Sequence, residues 1–278
     1  MTRPRIAAAC IVALLSSLLL ARVHPFGNAG LYTSSRAPIM EHSSAPPQVR
    51  NLLISKCADC HSMQTRTPFY GRLAPISWLL ERDILEGRKH LNLSAWDSYT
   101  PDEQQTLQAK IIQQARTGKM PLPQYRNIHR SSAITTADLA LLSQWNSPRL
   151  STLETSPEQQ PSAGDAVQGK LIFEKRCTGC HSLDQNREGP RLSGVFGRTS
   201  GQAPGYMYSP ALQNAHIVWN ELTLDRWLTD PDAFVPGNNM DFRVIKSKER
   251  HDLIRFLKES SAPATPPPVS ASLHISNR

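Results

Sequence analysis

Cysteine is scarce in this 278-residue chain, and none is spare. Of the five, four stand in two short motifs, and the fifth, Cys10, lies in an apolar N-terminal run. Nothing is left for a disulfide framework or a thiolate nucleophile. Glycine is limited to 14 residues and β-branched runs are few, which argues against an all-β sandwich and for compact helical units. No run of five basic residues occurs, and no stacking motif accompanies the +8 formal charge, so nucleic acid is not an expected partner. A repeat of 20 to 50 residues is also lacking, which removes solenoids and propellers. The length suits about two ordinary domains.

What is present, twice, is C-x-x-C-H: Cys57-Ala58-Asp59-Cys60-His61, and 120 residues later Cys177-Thr178-Gly179-Cys180-His181. This run reads as covalent attachment of a c-type haem. Two thiols three positions apart reach the two vinyl groups of one porphyrin, and the imidazole that follows becomes the proximal iron ligand. A zinc half-site would need a second Cys/His pair beside each motif. A dithiol redox pair would need a βαβ setting, and the sequence has none. The expected cofactors are therefore two haem c groups. Their four propionates would roughly halve the positive excess.

Residues 1–21 begin with a basic stretch, Met-Thr-Arg-Pro-Arg, followed by 16 apolar or small residues from Ile6 to Ala21. Two readings stand: a cleaved export signal, or a retained helix anchoring the chain to the inner membrane by residues 6–21. Cleavage after Ala21 would put Leu19 where a small residue is preferred. Either reading sends the rest to the periplasm, where haem attachment takes place. Residues 22–46 are aperiodic and read as a tether.

The first haem-bearing unit is expected over 47–147. Val49, Leu52 and Leu53 mark a helix running into Cys57. A second helix starts at Pro75, carries Trp78, Leu79 and Ile84 inward and ends near Gly87. A third opens on the capping box Thr100-Pro101-Asp102-Glu103 and stops at Gly118. A fourth follows Thr136, with Leu139, Leu142 and Trp145 inward. Residues 148–163 are polar and aperiodic, a linker. The second unit, 164–260, has helices through Gly169 into Cys177, across Leu222–Leu228, and over Lys248–Glu259. The Pro-rich tail, 261–278, is expected to be disordered. The fold class is thus all-α: two small helical haem domains behind an N-terminal hydrophobic helix.

A proximal histidine leaves one axial position on each iron. Met/His ligation raises the potential and suits electron transfer. In the second unit Met240, 59 residues after His181, sits in the loop Pro236-Gly237-Asn238-Asn239-Met240 and is the expected ligand; Met207 is expected to pack. In the first unit the candidate is Met120, 59 residues after His61 in the proline-bounded run Lys119–Pro123, with His90 and His129 as rivals.

Residues 164–260 resemble a class I, mitochondrial-like cytochrome c. The likeness rests on Gly164-Asp165, Gly169, Phe173, Cys177–His181, Gly189-Pro190 and Phe196-Gly197-Arg198. It continues through Gly201–Tyr206, Tyr208, Trp219, Pro236-Gly237, Met240, Leu253 and Phe256. The resemblance implies that Met240 is the distal ligand and that the Pro190 carbonyl accepts the imidazole N–H of His181. It further implies that Arg198, Tyr208 and Trp219 hold the propionates, and that Gly169 and Phe173 meet Leu253 and Phe256 where two helices cross. Asp232 and Asn239 stand where mitochondrial proteins carry lysines at the haem edge, so the docking partner is expected to differ; Leu212 replaces a polar crevice residue. Residues 47–147 resemble the haem-binding domain of exported bacterial proteins, through Cys57–His61, Ala74–Leu79, Glu86-Gly87-Arg88, His90-Leu91-Asn92, Trp96, Met120-Pro121 and Tyr125.

Together these features predict a non-enzymatic carrier of single electrons between a redox donor and acceptor (a cytochrome complex, oxidase or dehydrogenase). The alternatives are a di-haem peroxidase with one open haem, and the cytochrome subunit of a membrane oxidase or dehydrogenase.

Overall fold

The computed structural model describes residues 3–31, 37–146 and 164–261. The linker 148–163 and, beyond Ser261, the tail lie outside the described residues. Among the described residues the chain is helical, with no strand and one isolated antiparallel bridge, Thr199 to Val218. It divides into two compact units, Met1–Thr155 with Asn239–Phe242, and Ser156–Asn238 with Arg243–Arg278.

In the first unit, α1 (Arg3–Leu20) is an apolar 18-residue helix with no buried residue. Helix α2 (Pro47–Lys56) starts on a proline and buries Val49, Leu52 and Leu53, the spacing that places three side chains on one face. These pack with Met40, Leu93, Trp96, Ile112 and Leu142 into the main core. The motif turn α3 (Ala58–His61) follows directly. Helix α5 (Pro101–Arg116) carries the expected capping box: the Glu103 amide donates to Thr100 Oγ1 and the Thr100 amide to Glu103 Oε2. Gly118, at φ +69°, ends the helical run. A short α6 (Pro123–Ile128), not foreseen, comes before α7 (Thr136–Asn146), which buries Leu142 as expected.

Helix α4 (Ile76–His90) departs from the sequence reading in two ways. Leu79 is exposed rather than inward, and the buried face is Ser77, Glu81, Ile84 and Gly87. Nor does Gly87 end the helix. A Cβ there would come within 3.1 Å of the Cys60 carbonyl oxygen and 3.3 Å of His61 Cε1, so this glycine serves close approach rather than termination.

The stretch 22–46 is not a free tether either. His24 Nδ1 bonds both carboxylate oxygens of Glu81 at 2.8 and 2.9 Å, and the Ala29 amide donates to Glu81 Oε1 at 3.3 Å. Arg88 Nη1 donates to the Ala29 carbonyl at 2.9 Å, and Met40 is fully buried in the core. Its described parts, 22–31 and 37–46, are held by backbone groups meeting polar side chains, which leaves no hydrophobic period to read.

Helix α7 is pinned to the motif end of α2 by Lys56, whose ammonium donates to Asp138 Oδ2 and to the Ala133 carbonyl, each at 2.6 Å. Burial alone would raise the Asp138 pKa, but Lys56 and Thr135 outweigh it and hold the carboxyl below its usual value. A depressed native pKa means stability that is complete above the unfolded value of about 3.9 and disappears as pH falls through the native one. Asp138→Asn is therefore expected to lower the first unit's melting temperature at pH 7 and to flatten its decline below about pH 4. Thermal melts at several pH values, followed by circular dichroism, provide the check. Parallel pH profiles would remove the Lys56–Asp138 account.

The second unit is built on a crossing of α8 (Ala166–Ile172) with α12 (Ser247–Glu259). Asp165 caps α8 by accepting from the Val167 and Gln168 amides. A π turn, Phe173–Cys177, carries α8 into the motif. As the resemblance implies, Gly169 lets the backbones touch, and the Phe173 and Phe256 rings lie 5.4 Å apart. Between these lie α9 (Pro210–Gln213), α10 (Glu221–Thr229) and α11 (Pro231–Phe234). The expected second-unit helices all form; α9 and α11 are single turns below the length at which periodicity shows.

Candidate haem sites

Both motifs sit on one tight turn at the end of a helix. The His61 amide donates to the Cys57 carbonyl at 3.0 Å, and that of His181 to the Cys177 carbonyl at 2.8 Å. Each turn therefore sets two thiols and one imidazole close together. Burial pushes the Cys57 and Cys177 thiols up to about 12 and, with nearby carboxylates adding to it, Cys60 to about 11. These are not the depressed pKa values of a reactive dithiol. Among the described residues no group of three or more His, Cys, Asp or Glu side chains is placed to cage a metal.

The two histidines are oriented alike. His181 Nδ1 lies 2.8 Å from the Pro190 carbonyl. His61 Nδ1 lies 3.0 Å from the Gly87 carbonyl and 3.1 Å from that of Leu91, both at the end of α4. A carbonyl only accepts, so Nδ1 carries the proton in each ring and Nε2 keeps a lone pair. Burial lowers both imidazole pKa values, against a smaller opposing effect of the carbonyls, and favours the neutral ligand form. Gly189 closes the rear of the His181 ring, since an added Cβ would lie 2.2 Å from Cε1. The Pro190 contact was implied by resemblance. The Gly87 and Leu91 carbonyls were not anticipated, because every residue offers a carbonyl and only folding selects which ones converge.

The second unit also fits an anionic cofactor. Arg198 donates from Nη1 to the Ser193 carbonyl and from Nη2 to the Arg191 carbonyl, at 3.2 and 2.9 Å. Its buried Nε, like that of Arg191, has no protein partner. Burial lowers the Arg198 pKa, partly countered by Tyr208. Two neighbouring guanidiniums with unmatched buried donors suit a carboxylate such as a haem propionate. Trp219 is buried, stacked obliquely on Trp227 at 5.4 Å, and bonded through its backbone to Gly197 and Arg198. Tyr208 accepts from the Ala203 amide. Arg198, Tyr208 and Trp219 are thus gathered in one region.

Around the first motif, Arg88 fastens α4 to the chain after the histidine, donating from Nε to the Ser62 carbonyl at 2.8 Å and from Nη2 to Thr65 Oγ1 at 3.0 Å. Tyr125 donates to Asp59 Oδ2 at 2.8 Å, tying α6 to the second of the two residues between the cysteines.

The candidate sixth ligands are differently placed. Met120 is half-buried, and its amide donates to the Gln114 carbonyl at 3.1 Å. His90 is exposed beside Glu86. His129 stacks on Tyr125, centroids 4.3 Å apart, with Nε2 bonded to the Tyr70 hydroxyl. Met240 is half-buried, in the irregular run Asn239–Phe242 after Pro236-Gly237 that groups with the first compact unit. Met207 does not pack as expected: it is 91% exposed, carried outward between Tyr206 and Tyr208, which contact each other.

Comparison with known proteins agrees with both halves of this description. Residues 17–148 match the model of the haem-binding domain, and residues 166–261 match that of cytochrome c. Cytochrome c of Euglena viridis is 49% identical over 98 residues, covering 34% of this chain and 96% of the relative. Cytochrome c of Sesamum indicum is 41% identical over 107 residues, covering 37% and 96%. Among solved structures, cytochrome cH from Methylobacterium extorquens is 39% identical, covers 34% of this chain and 99% of its own, and aligns with a TM-score of 0.34. The chain belongs to the cytochrome c family. Electron transfer by haem is the work of that family, carried out with redox partners.

Proposed function

We propose that this protein is a di-haem c-type cytochrome, anchored to the inner membrane, that passes single electrons between redox partners in the periplasm. The observation that carries the proposal is the matched state of His61 and His181: each imidazole donates Nδ1–H to backbone carbonyls and is left with a neutral Nε2 donor. Bound haem c supplies reversible one-electron chemistry between ferric and ferrous iron.

The chain's own residues do the rest. Cys57 and Cys60, and Cys177 and Cys180, would hold the porphyrins through thioethers. The carbonyls of Gly87, Leu91 and Pro190 fix the rings and make them more basic ligands. Arg198, Tyr208 and Trp219 would retain the propionates of the second site. Met120 and Met240 would complete the axial pairs. Met240 lies between two local anchors, the Asn238 amide on the Val235 carbonyl and the Val244 amide on the Leu228 carbonyl at 2.7 Å. The engagement of His90 and His129 with other side chains favours Met120 in the first unit. The exposed 18-residue α1, with mean hydropathy 1.6, would lead the chain out, with Arg3 and Arg5 on the cytoplasmic side. Retention of this helix is supported by its last turns, which hydrogen-bond the first unit: Ser17 Oγ donates to the Ala74 carbonyl, and Trp78 Nε1 to that of Leu20. The first haem domain then includes the packed segment from Arg22 onward, with 148–163 as linker and 164–260 as the second domain.

The test is haem stoichiometry together with ferric optical and EPR spectra of the full chain and of Met120→Ala and Met240→Ala. Two haems per chain are expected, both low-spin, with each substitution abolishing the methionine charge-transfer signal of one haem. One haem per chain would overturn the di-haem reading. A first haem that is high-spin, or unchanged by Met120→Ala, would remove that ligand. Peroxide turnover at such a haem would favour an enzyme instead.

A further inference from the structure

The end of α1 and the rest of the first unit border an open surface cleft of about 660 Å³, lined by Leu18, Leu19, Arg22 and Arg72. Its walls differ in chemistry. Leu18 and Leu19 belong to the apolar helix and are 40% and 73% exposed, whereas Arg22 and Arg72 add two cationic residues to the lining. The cleft is held in place by polar contacts along one stretch of the first unit. The Ala74 amide donates to the Ser17 carbonyl, Ser17 Oγ donates to the Ala74 carbonyl at 2.8 Å, and Trp78 Nε1 donates to the Leu20 carbonyl at 3.1 Å.

That same stretch shows apolar side chains to the outside: Phe69 at 81% exposed, Ile76 at 44% and Leu79 at 47%. Phe69 shares a single 3₁₀ turn with Arg72. An aromatic residue, a tryptophan and two arginines at the end of an apolar helix are the composition of a membrane interface. A helix of 18 residues is roughly 27 Å long, close to the hydrocarbon thickness, so its last turn would emerge at headgroup level.

We propose that this cleft binds the headgroup of an anionic phospholipid of the outer leaflet, with the phosphate between Arg22 and Arg72 and an acyl chain along Leu18 and Leu19. The proposal rests on retention of α1 as an anchor. Bound lipid would set how the first haem domain stands on the membrane, with Phe69, Ile76 and Leu79 dipping into the interface.

The test is native mass spectrometry of the full-length holoprotein in mixed micelles, titrated with phosphatidylglycerol or with phosphatidylcholine of the same acyl chains. One phosphatidylglycerol is expected to bind in preference. Arg22→Gln and Arg72→Gln are each expected to weaken it about fivefold, the worth of one cation beside an anionic headgroup. Lys89→Gln, which removes a cation elsewhere on α4, should leave binding unchanged. Equal binding of phosphatidylcholine, an equal loss in Lys89→Gln, or displacement by excess inorganic phosphate would overturn the lipid site. The intact mass separates the two readings: a chain beginning after Ala21 overturns anchor and cleft together. A full-length chain with no preference for phosphatidylglycerol overturns the cleft alone.

Discussion

Gly189→Ala is expected to abolish the proposed second haem site. The added methyl would lie 2.2 Å from Cε1, 2.6 Å from Nδ1 and 2.7 Å from Nε2 of His181, under van der Waals contact with three ring atoms at once. The ring has little room to retreat. Its backbone follows Cys180, its Nδ1 is held by the Pro190 carbonyl at 2.8 Å, and in the holoprotein two neighbouring thioethers would fix the turn. Small-to-large changes in well-packed sites cost about 1–3 kcal/mol, and a clash with a ring this constrained belongs at the upper end or above. Gly189 has no positive φ, so the restriction is space alone. On the proposed di-haem reading with Met240 as ligand, the expected result is holoprotein with the second haem lost or high-spin and without its methionine charge-transfer signal, while the first haem keeps its spectrum. Spectra and haem content of the purified full chain read this directly. A low-spin, methionine-ligated second haem in Gly189→Ala would mean that the imidazole is not confined as described.

Gly169→Ala carries the second large effect, and here two terms oppose each other. Alanine in place of a helical glycine favours the helix by about 1 kcal/mol. Against this, the new Cβ would lie 2.0 Å from the Asp252 carbonyl oxygen and 2.8 Å from the Phe256 Cβ. The first obstacle is backbone, which no rotamer change moves, so α8 and α12 would have to separate. Separation would loosen the Phe173–Phe256 contact and the 2.8 Å bond from the Asp165 amide to Asp252 Oδ1. The clash outweighs the propensity gain, for a net loss of roughly 2–4 kcal/mol. In a unit of about a hundred residues that lowers the melting temperature by about 10–20 °C. Thermal unfolding of the full chain followed by circular dichroism measures it, and an unchanged or raised melting temperature would show that the crossing tolerates a methyl.

Much of the fold was legible beforehand for local reasons. The capping box at Thr100 works within four residues, and the apolar face of α2 follows from its own spacing. The described parts of 22–46 and the outward faces of Leu79 and Met207 differ from the sequence expectation, because each depends on what lies opposite. A buried Glu81 turned an aperiodic segment into a docked one, and a tyrosine pair left Met207 outside.

The same division runs through the haem sites. Sequence by itself determined the two candidate attachment motifs, each with two thiols and an imidazole within five residues, because such a motif is a local pattern. Tertiary structure decided the protonation and confinement of each imidazole. It chose the carbonyls of Gly87, Leu91 and Pro190 from a chain full of equivalent carbonyls, left buried nitrogens of Arg191 and Arg198 without protein partners, and set Gly189 behind one ring. Hydrogen bonds and steric walls act over a few ångströms between residues up to 30 positions apart, and only the folded chain brings such residues together.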